Sequence, residues 1–192
     1  MELETRKASL ANVSDLVHIR MMAEGGYAEA LFEGLDQSVE ELIETELTNP
    51  NLTAFYKNYW VVLSRDEIAG GLLAFPWNDY ENDSHNPLVP EERYSILESF
   101  EEFEAPGKYH IAELSVYPEF TRRGIGSILL MLARELAIER NFTELSLMVF
   151  AENTGAVSLY KKHGYKEVDR RPADPHPRAF YSGEVLLMTC QA

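Results

Sequence analysis

The sequence predicts an α+β fold in one domain, on three observations. Residues 59–75 contain two apolar runs separated by a short polar turn, which is typical of a β-hairpin. Residues 124–140 carry apolar side chains at helical spacing, with Ile125 and Leu129 on one stripe. From residue 108 onward, strand-like and helix-like segments alternate. A chain of 192 residues with 45% hydrophobic content can bury one sizeable core, and a second domain is not expected.

The first part of the chain predicts a strand and two helices ahead of the hairpin. The strand covers residues 4–10, and the first helix runs from a cap at Asn12 to about Gly25. The second helix begins at a capping box, in which the side chains of Ser38 and Glu41 each accept from the other's backbone N–H. These elements precede the hairpin in the predicted order.

The hairpin leads into an acidic insert at residues 77–107. Gly70 and Gly71 weaken the second hairpin strand and predict a bulge there. The insert is rich in Asn, Asp, Glu and Pro, and it is longer than an ordinary connection. Pro90 is placed to begin a helix inside it. We therefore expect the insert to be either functional or mobile.

The rest of the chain alternates between strands and helices. In chain order we predict a strand at 108–117, a helix at 124–140, a strand at 144–150, a helix from Asn153 to His163, and a closing strand pair at 165–171 and 180–189. Gly164 follows the last helix at the position that a C-terminal glycine prefers. No internal repeat is visible.

Composition excludes several classes of function. The formal net charge is −15, from 32 acidic and 17 basic residues, whereas nucleic-acid binding needs a basic face. The acidic balance suits a cationic substrate such as an amine, although most of these carboxylates are expected on solvated helix faces. No apolar run can span a bilayer and the first residues lack the core of a signal peptide, so we expect a cytoplasmic protein with no membrane partner. A single cysteine, Cys190, excludes internal disulfides and Cys-based metal sites.

The segment 113–127 ends a strand, turns on glycines and begins a helix. The first-turn N–H groups of a helix have no internal acceptors and the helix dipole is positive there, so an anion is favoured. Gly124 and Gly126 have no Cβ, which lets a diphosphate approach the main chain. Arg122 and Arg123 add positive charge at the entry. These residues predict a phosphate-binding turn.

Three motif families contain such a turn, and two of them do not match. A dinucleotide fold requires a third glycine where Leu129 stands, and a nucleoside-triphosphate loop requires a G-K-[ST] ending that is missing. The segment instead resembles the GNAT superfamily of N-acetyltransferases, in which a strand ending in a Leu-x-Val-x-Pro-like pattern precedes [QR]-x-x-G-x-[GA]. The matching residues are Leu114, Val116, Pro118, Gly124 and Gly126. Thr121 departs from the pattern, because the family usually has Gln or Arg there.

Residues 150–165 are similar to the second signature of the family. Asn153 begins the helix, and Tyr160 follows seven residues later, about 20° around the helix and about 10.5 Å along it, so one extended ligand can touch both. In the family the asparagine contacts the pantetheine arm of acetyl-CoA, and the tyrosine protonates the departing thiolate. The alternatives are a plain helix cap for Asn153 and an aromatic residue at the edge of the core for Tyr160.

The resemblance also implies the architecture, over residues 4–189. It is a GNAT-type mixed, mostly antiparallel central sheet flanked by helices, in the order β-αα-ββ-insert-β-α-β-α-ββ. A splayed strand pair forms the acetyl-CoA cleft, where free main-chain groups bind pantetheine and the thioester oxygen. The cofactor-binding residues implied are Leu114, Ser115, Val116, Arg122, Arg123, Gly124, Ile125, Gly126, Ser127 and Asn153.

The group that accepts the proton of the amine is less well determined. The subgroup that acetylates protein N-termini has a glutamate where this chain has Met148. Glu113 is the best replacement, because burial in the central strand can raise its pKa toward the working range. A salt-bridged structural role for Glu113 is equally open. His110 lies off the face of Glu113 if the strand is regular, and a bulge changes that.

The resemblance thus implies an N-acetyltransferase that uses acetyl-CoA as co-substrate. We expect direct transfer to a primary amine of a small molecule or peptide, with catalytic residues Tyr160 and Glu113, no metal and no covalent enzyme intermediate. Tyr80, Tyr94 and His176 are candidates to line the acceptor pocket. The alternative is a non-catalytic acyl-CoA-binding regulatory protein that retains the fold. The edges of the closing strand pair could support a homodimer.

Overall fold

The computed structural model describes residues 3–80, 85–86, 88–173 and 175–192, apart from the side chains of Tyr80, Ser99 and Glu101. In this part of the chain the strands are β1 Leu3–Lys7, β2 Trp60–Ser64, β3 Glu67–Pro76, β4 Tyr109–Val116, β5 Glu144–Phe150, β6 Lys166–Pro172 and β7 Glu184–Gln191. The α-helices are α1 Val13–Glu24, α2 Tyr27–Leu31, α3 Val39–Thr48, α4 Trp77–Tyr80, α5 Glu98–Glu101, α6 Ile125–Glu139 and α7 Thr154–Lys162. Short 3-10 turns lie at Leu10–Asn12, Tyr56–Asn58, Glu91–Leu97 and Pro118–Phe120.

The strands form one mixed sheet in the order β1-β2-β3-β4-β5-β7-β6. Strands β4 and β5 pair in parallel, while the other neighbouring strands pair antiparallel. The sheet is therefore mixed and mostly antiparallel, with helices on both sides, as the sequence predicted. Strands β1 and β6 are its edges.

Helices cover both faces of the sheet because each carries one apolar stripe. On one face, Leu16 and Ile19 of α1 and Leu42 of α3 are buried in a core with side chains of β2 and β3. On the other face, Ile125 and Leu129 of α6 are buried in a core with side chains of β3, β4 and β5. None of the helices in the described ranges has the length and apolar character needed to cross a membrane.

The predicted order of elements is confirmed, with several local differences. Strand β1 ends at Lys7 rather than at residue 10, and the helix predicted to begin at Pro90 is a 3-10 turn, Glu91–Leu97, followed by α5. Helix α2 was not predicted, since five residues offer too little of a periodic pattern. The last strand begins at Glu184 rather than at residue 180. The backbone N–H of Phe180 instead donates to the carbonyl oxygen of Gly25 at 2.7 Å, which ties the β6–β7 loop to the turn between α1 and α2.

The acidic insert packs against the sheet through its apolar residues. Trp77 and Phe103 are buried in a small cluster with side chains of β7, and Tyr94 is buried in the core beneath α1. The acidic side chains of Glu98 and Glu102 face solvent. The insert thus combines a packed inner surface with a charged outer one.

Two bulges interrupt the central strands. The β2–β3 register shifts between Val62 and Leu63, next to the glycine pair that predicted a bulge. A Cβ on Gly70 would lie 2.6 Å from the carbonyl oxygen of Ser115, so only glycine allows this close approach to β4. The β3–β4 register shifts between Leu73 and Ala74, which leaves Ala112 of β4 as the extra residue.

Candidate active site

Strands β4 and β5 separate after three paired positions. Tyr109, His110 and Ile111 of β4 face residues 145–147 of β5 in register, and no further pair joins the two strands within their described lengths. Beyond this point the main-chain groups of β4 that point toward β5 lack a ladder partner. The separation creates a gap next to Leu114, Ser115 and Val116, and it is the splayed pair that the family resemblance implied.

Helix α6 begins at the mouth of this gap with a left-handed glycine. Gly124 has φ +85°, and its Cβ position meets no atom within 4 Å. The first bond of the helix runs from the N–H of Ile128 to the carbonyl oxygen of Gly124 at 3.1 Å. The N–H groups of residues 125–127 precede that bond and lack intrahelical acceptors. Open space at Gly124 and the unpaired N–H donors of residues 125–127 make this turn suitable for an anion. Residues 124–127 therefore form a candidate phosphate cradle.

The side chains around the turn have different surroundings. Arg122 is exposed and has φ +63°, an uncommon conformation for a residue with a side chain. The guanidinium of Arg123 lies over the ring of Phe120, 5.4 Å from its centroid. Thr121 donates from Oγ1 to the carbonyl oxygen of Pro118 at 2.8 Å. Thr121 therefore stabilises the turn before the cradle instead of presenting a charge to it.

Gly126 and Ser127 connect α6 to α7. A Cβ on Gly126 would lie 2.8 Å from Cδ2 of Leu159, so the missing side chain permits close helix packing. Oγ of Ser127 lies 2.9 Å from Nε2 of His163. Desolvation, and then the charges of Lys162 and Arg134, lower the pKa of His163. Ile125 is 1% exposed, and its side chain belongs to the core between α6 and the sheet.

The two residues of the second signature lie on α7 as predicted. Oδ1 of Asn153 accepts from the N–H of Ala156 at 3.2 Å, which caps the helix and leaves the amide nitrogen outside the cap. Tyr160 is 8% exposed and packs in the core between α6 and β5. Burial raises the pKa of Tyr160 to about 12, so its phenol stays protonated at any ordinary working pH.

The bulge at Ala112 brings His110 and Glu113 to the same face of β4. Glu113 is opposite Leu73 and His110 is opposite Phe75, and both β3 residues belong to the core beneath α1. Side chains that face each other in an antiparallel pair share one face of the sheet. A regular strand would place two residues three apart on opposite faces.

The carboxyl group of Glu113 is buried in a polar pocket beneath α1. The hydroxyl of Tyr59 lies 2.8 Å from each of its oxygens, and Nε of Arg20 lies 3.8 Å from Oε1. Burial raises the pKa of Glu113 to about 7, although the positive charge of Arg20 opposes this rise. A carboxyl group with such a pKa can accept a proton near neutral pH.

Sequence reasoning missed the groups that surround Glu113. Arg20 contacts Glu24 at 2.5 Å and Glu46 at 2.7 Å, and both contacts are largely buried. The one available signal was the position of Arg20 four residues after Leu16, on the buried stripe of a helix. Tyr59 gave no separate signal, because an aromatic residue is expected before an apolar strand.

His110 and the predicted acceptor-pocket residues have structural contacts. Nδ1 of His110 lies 3.0 Å from Oγ of Ser146, and burial lowers the pKa of His110 to about 3, so it stays neutral. The hydroxyl of Tyr94 accepts from the N–H of Asn86 at 2.8 Å. His176 accepts from the N–H of Arg178 at 3.2 Å, and the side chain of Tyr80 lies outside the described residues.

The comparisons with known proteins agree with this geometry. The sequence model of the acetyltransferase (GNAT) family matches residues 29–165, which is more than half of the chain. The chain therefore belongs to the GNAT family.

Individual relatives are more distant. The mycothiol acetyltransferase of Clavibacter sepedonicus is 36% identical over 61 residues, a match that covers 32% of this chain and spans only 20% of that protein. A crystal structure of an N-acetyltransferase from Staphylococcus aureus Mu50 is 18% identical and has a TM-score of 0.72, covering 97% of this chain and 100% of its own. A GNAT acetyltransferase from Elizabethkingia anophelis with acetyl-CoA bound is 19% identical and has a TM-score of 0.61, with 99% and 98% covered. At these identities the two structures establish the fold.

Proposed function

We propose that the protein is an N-acetyltransferase that uses acetyl-CoA as co-substrate and acetylates a primary amine of a small molecule or peptide. The observation that carries the proposal is the gap between β4 and β5, with the cradle of α6 at its mouth. An anion-binding site requires only the cradle, whereas the gap beside it provides room for an extended ligand. Glu113 of β4 adds a proton acceptor on the face of the sheet beneath α1, and Tyr160 of α7 adds a proton donor on the opposite face.

The donor fits the residues that would hold it. The orphan N–H groups of residues 125–127 and the open space at Gly124 suit a diphosphate. The unpaired main chain of Leu114 and Val116, together with the amide of Asn153, suits the pantetheine arm with its own amide groups. The E. anophelis relative has acetyl-CoA bound, which supports the same use of this fold.

Each chemical step then has a residue of this chain to assist it. Glu113, ionised near neutral pH, takes a proton from the amine, directly or through water, so that the nitrogen can attack the carbonyl carbon of the thioester. A main-chain N–H of β4 stabilises the developing oxyanion, which is typically worth about 3 kcal/mol. As the C–S bond breaks, Tyr160 gives its proton to the sulfur, and the products are the amide and free thiol.

Purified protein incubated with acetyl-CoA and a panel of primary amines tests the proposal. We expect free thiol to appear in proportion to acetylated amine for at least one class of acceptor, and no release without an amine. The panel contains diamines, amino sugars, amino acid esters and peptides with free N-termini. Tight binding of acetyl-CoA without thiol release from any acceptor would favour the non-catalytic alternative.

A glycine substitution in the cradle tests the donor site separately. We expect Gly124→Ala to weaken binding of CoA at least tenfold, because the new Cβ enters the open space where the diphosphate would sit. The backbone cost of a side chain at positive φ is about 1 kcal/mol. Gly34→Ala is the matched control, since Gly34 also has positive φ and an open Cβ position but lies between α2 and α3, outside the cradle. Calorimetric titration measures the affinity of each variant for CoA. Equal affinities would refute the proposal that the cradle binds the diphosphate of CoA.

A further inference from the structure

Glu113 lies at one end of a buried chain of polar groups that reaches the acidic insert. Nε of Arg20 is 3.8 Å from Glu113, and Nη2 of Arg20 is 2.7 Å from Oε2 of Glu46. The other oxygen of Glu46 accepts from Nδ2 of Asn86 in the insert at 2.8 Å. The contacts are continuous from the insert to the candidate base.

The guanidinium of Arg20 is close to three carboxylates in this cluster. Arg20 contacts Glu24, Glu46 and Glu113, and its side chain is only 14% exposed. Electrostatic interactions between such poorly hydrated groups are much stronger than they are on the surface. The net electrostatic potential at Glu113 therefore depends both on Arg20 and on whether the other two carboxylates are charged.

We propose that Arg20 and Glu46 are positioning residues that set the charge state of Glu113, and that the insert acts on the reaction by holding Glu46 through Asn86. The inference rests on the proposed function, because it assigns Glu113 as the proton acceptor. This positioning role can be distinguished from a purely structural role of Arg20 and Glu46. If they position Glu113, removal of the positive neighbour and removal of the negative neighbour must move the titration of Glu113 in opposite directions.

Charged and titratable groups approach Glu113 from several elements. They are Arg20 and Glu24 on α1, Glu46 on α3 and Tyr59 before β2. Glu29 on α2 acts through Glu24, and Tyr94 in the insert acts through Glu46 and Arg20. Arg20 favours the ionised form of Glu113, whereas Glu24 and Glu46 oppose it. The hydroxyl of Tyr59 donates to the carboxylate and also favours ionisation.

The test is the pH profile of kcat/KM for two variants, each of which removes one charge. Arg20→Gln should move the acidic limb up by about one unit, so that kcat/KM at pH 7 falls about fivefold while the plateau at high pH is retained. Glu46→Gln should move the same limb down by about one unit. Glu44→Gln, an exposed carboxylate on the same helix as Glu46, should leave the limb in place. Equal or same-direction shifts would overturn the inference.

A second readout does not depend on turnover. The infrared C=O stretch of protonated Glu113, identified by its loss in Glu113→Gln, can be titrated between pH 4 and 10 in each variant. We expect the same opposite displacements of its midpoint. If these occur while no amine is acetylated, the proposed function fails and the network remains. If the midpoint stays fixed in both variants, the inference fails whatever the activity.

Stability of the variants needs its own control, because Arg20 is buried. Should Arg20→Gln fail to fold, Tyr59→Phe supplies the upward shift, since it removes a donor to the ionised carboxylate. Glu24→Gln supplies a second downward shift, because Glu24 opposes ionisation of Glu113. Asn86→Ala completes the set, and we expect it to change the limb position without affecting CoA affinity. An unchanged profile in Asn86→Ala would remove the insert from the inference.

Discussion

Replacing Glu113 by glutamine should lower kcat/KM at least about 100-fold, because general-base catalysis typically contributes a factor of 10² to 10⁴. Glutamine keeps the size of the side chain and can still accept from the hydroxyl of Tyr59. Affinity for CoA should be unchanged, since the carboxyl group lies on the face of the sheet opposite α6. Steady-state kinetics with a saturating donor measures the loss.

The same substitution should stabilise the fold at high pH. The pKa of Glu113 is about 7 in the folded chain and about 4.3 in the unfolded one, so the folded state binds more protons between these values. Stability therefore falls as pH rises through this window. Glu113→Gln removes a penalty of up to about 4 kcal/mol at pH 8, and it should make almost no difference at pH 4 or below.

Thermal unfolding at the two pH values checks the sign. For a chain of this size, 1 kcal/mol shifts Tm by about 2–4 °C, so a rise of several degrees is expected at pH 8. Glu98→Gln removes a carboxylate that faces solvent and should show no such difference. Lower stability of Glu113→Gln at both pH values, with activity retained, would make Glu113 a structural ion-pair residue.

Local pattern determined most of what could be predicted about the fold. Helix α6 and strand β5 were predicted within one residue of their observed ends. Each has an uninterrupted apolar pattern, a stripe at helical spacing in α6 and a short apolar run in β5. Residues 180–183 were wrongly placed in a strand, since the N–H groups of Phe180 and Ser182 donate to Gly25 and Glu152 instead of to β6. Those partners are distant in sequence and leave no local mark.

In the candidate site, too, features formed by neighbouring residues could be predicted and features formed by distant residues could not. The cradle at Gly124 and the helix cap at Asn153 are made by neighbouring residues, so their spacing predicted them. The surroundings of Glu113 come from residues far apart in the chain, such as Tyr59, which is 54 positions away. The bulge at Ala112, which puts Glu113 and His110 on one face, also depends on the pairing with β3.

The second large effect is expected from Tyr160→Phe, which should lower kcat about 100-fold or more while leaving KM for acetyl-CoA nearly unchanged. The phenol is buried, and none of the described groups forms a hydrogen bond with its hydroxyl. Phenylalanine preserves the packing and strands no partner, so stability should be nearly unaffected. A change confined to kcat indicates an interaction made only in the transition state.

Tyr165 provides the matched control for this experiment. Its ring lies 5.9 Å from that of Tyr160, centroid to centroid, and it belongs to the same core. Tyr165→Phe removes a phenolic hydroxyl from the same core, and we expect wild-type kcat. If both variants lose activity equally, the effect comes from packing of the core rather than from proton donation. If neither does, the thiolate is protonated by water, and the pKa of about 12 that burial gives Tyr160 would be the physical reason.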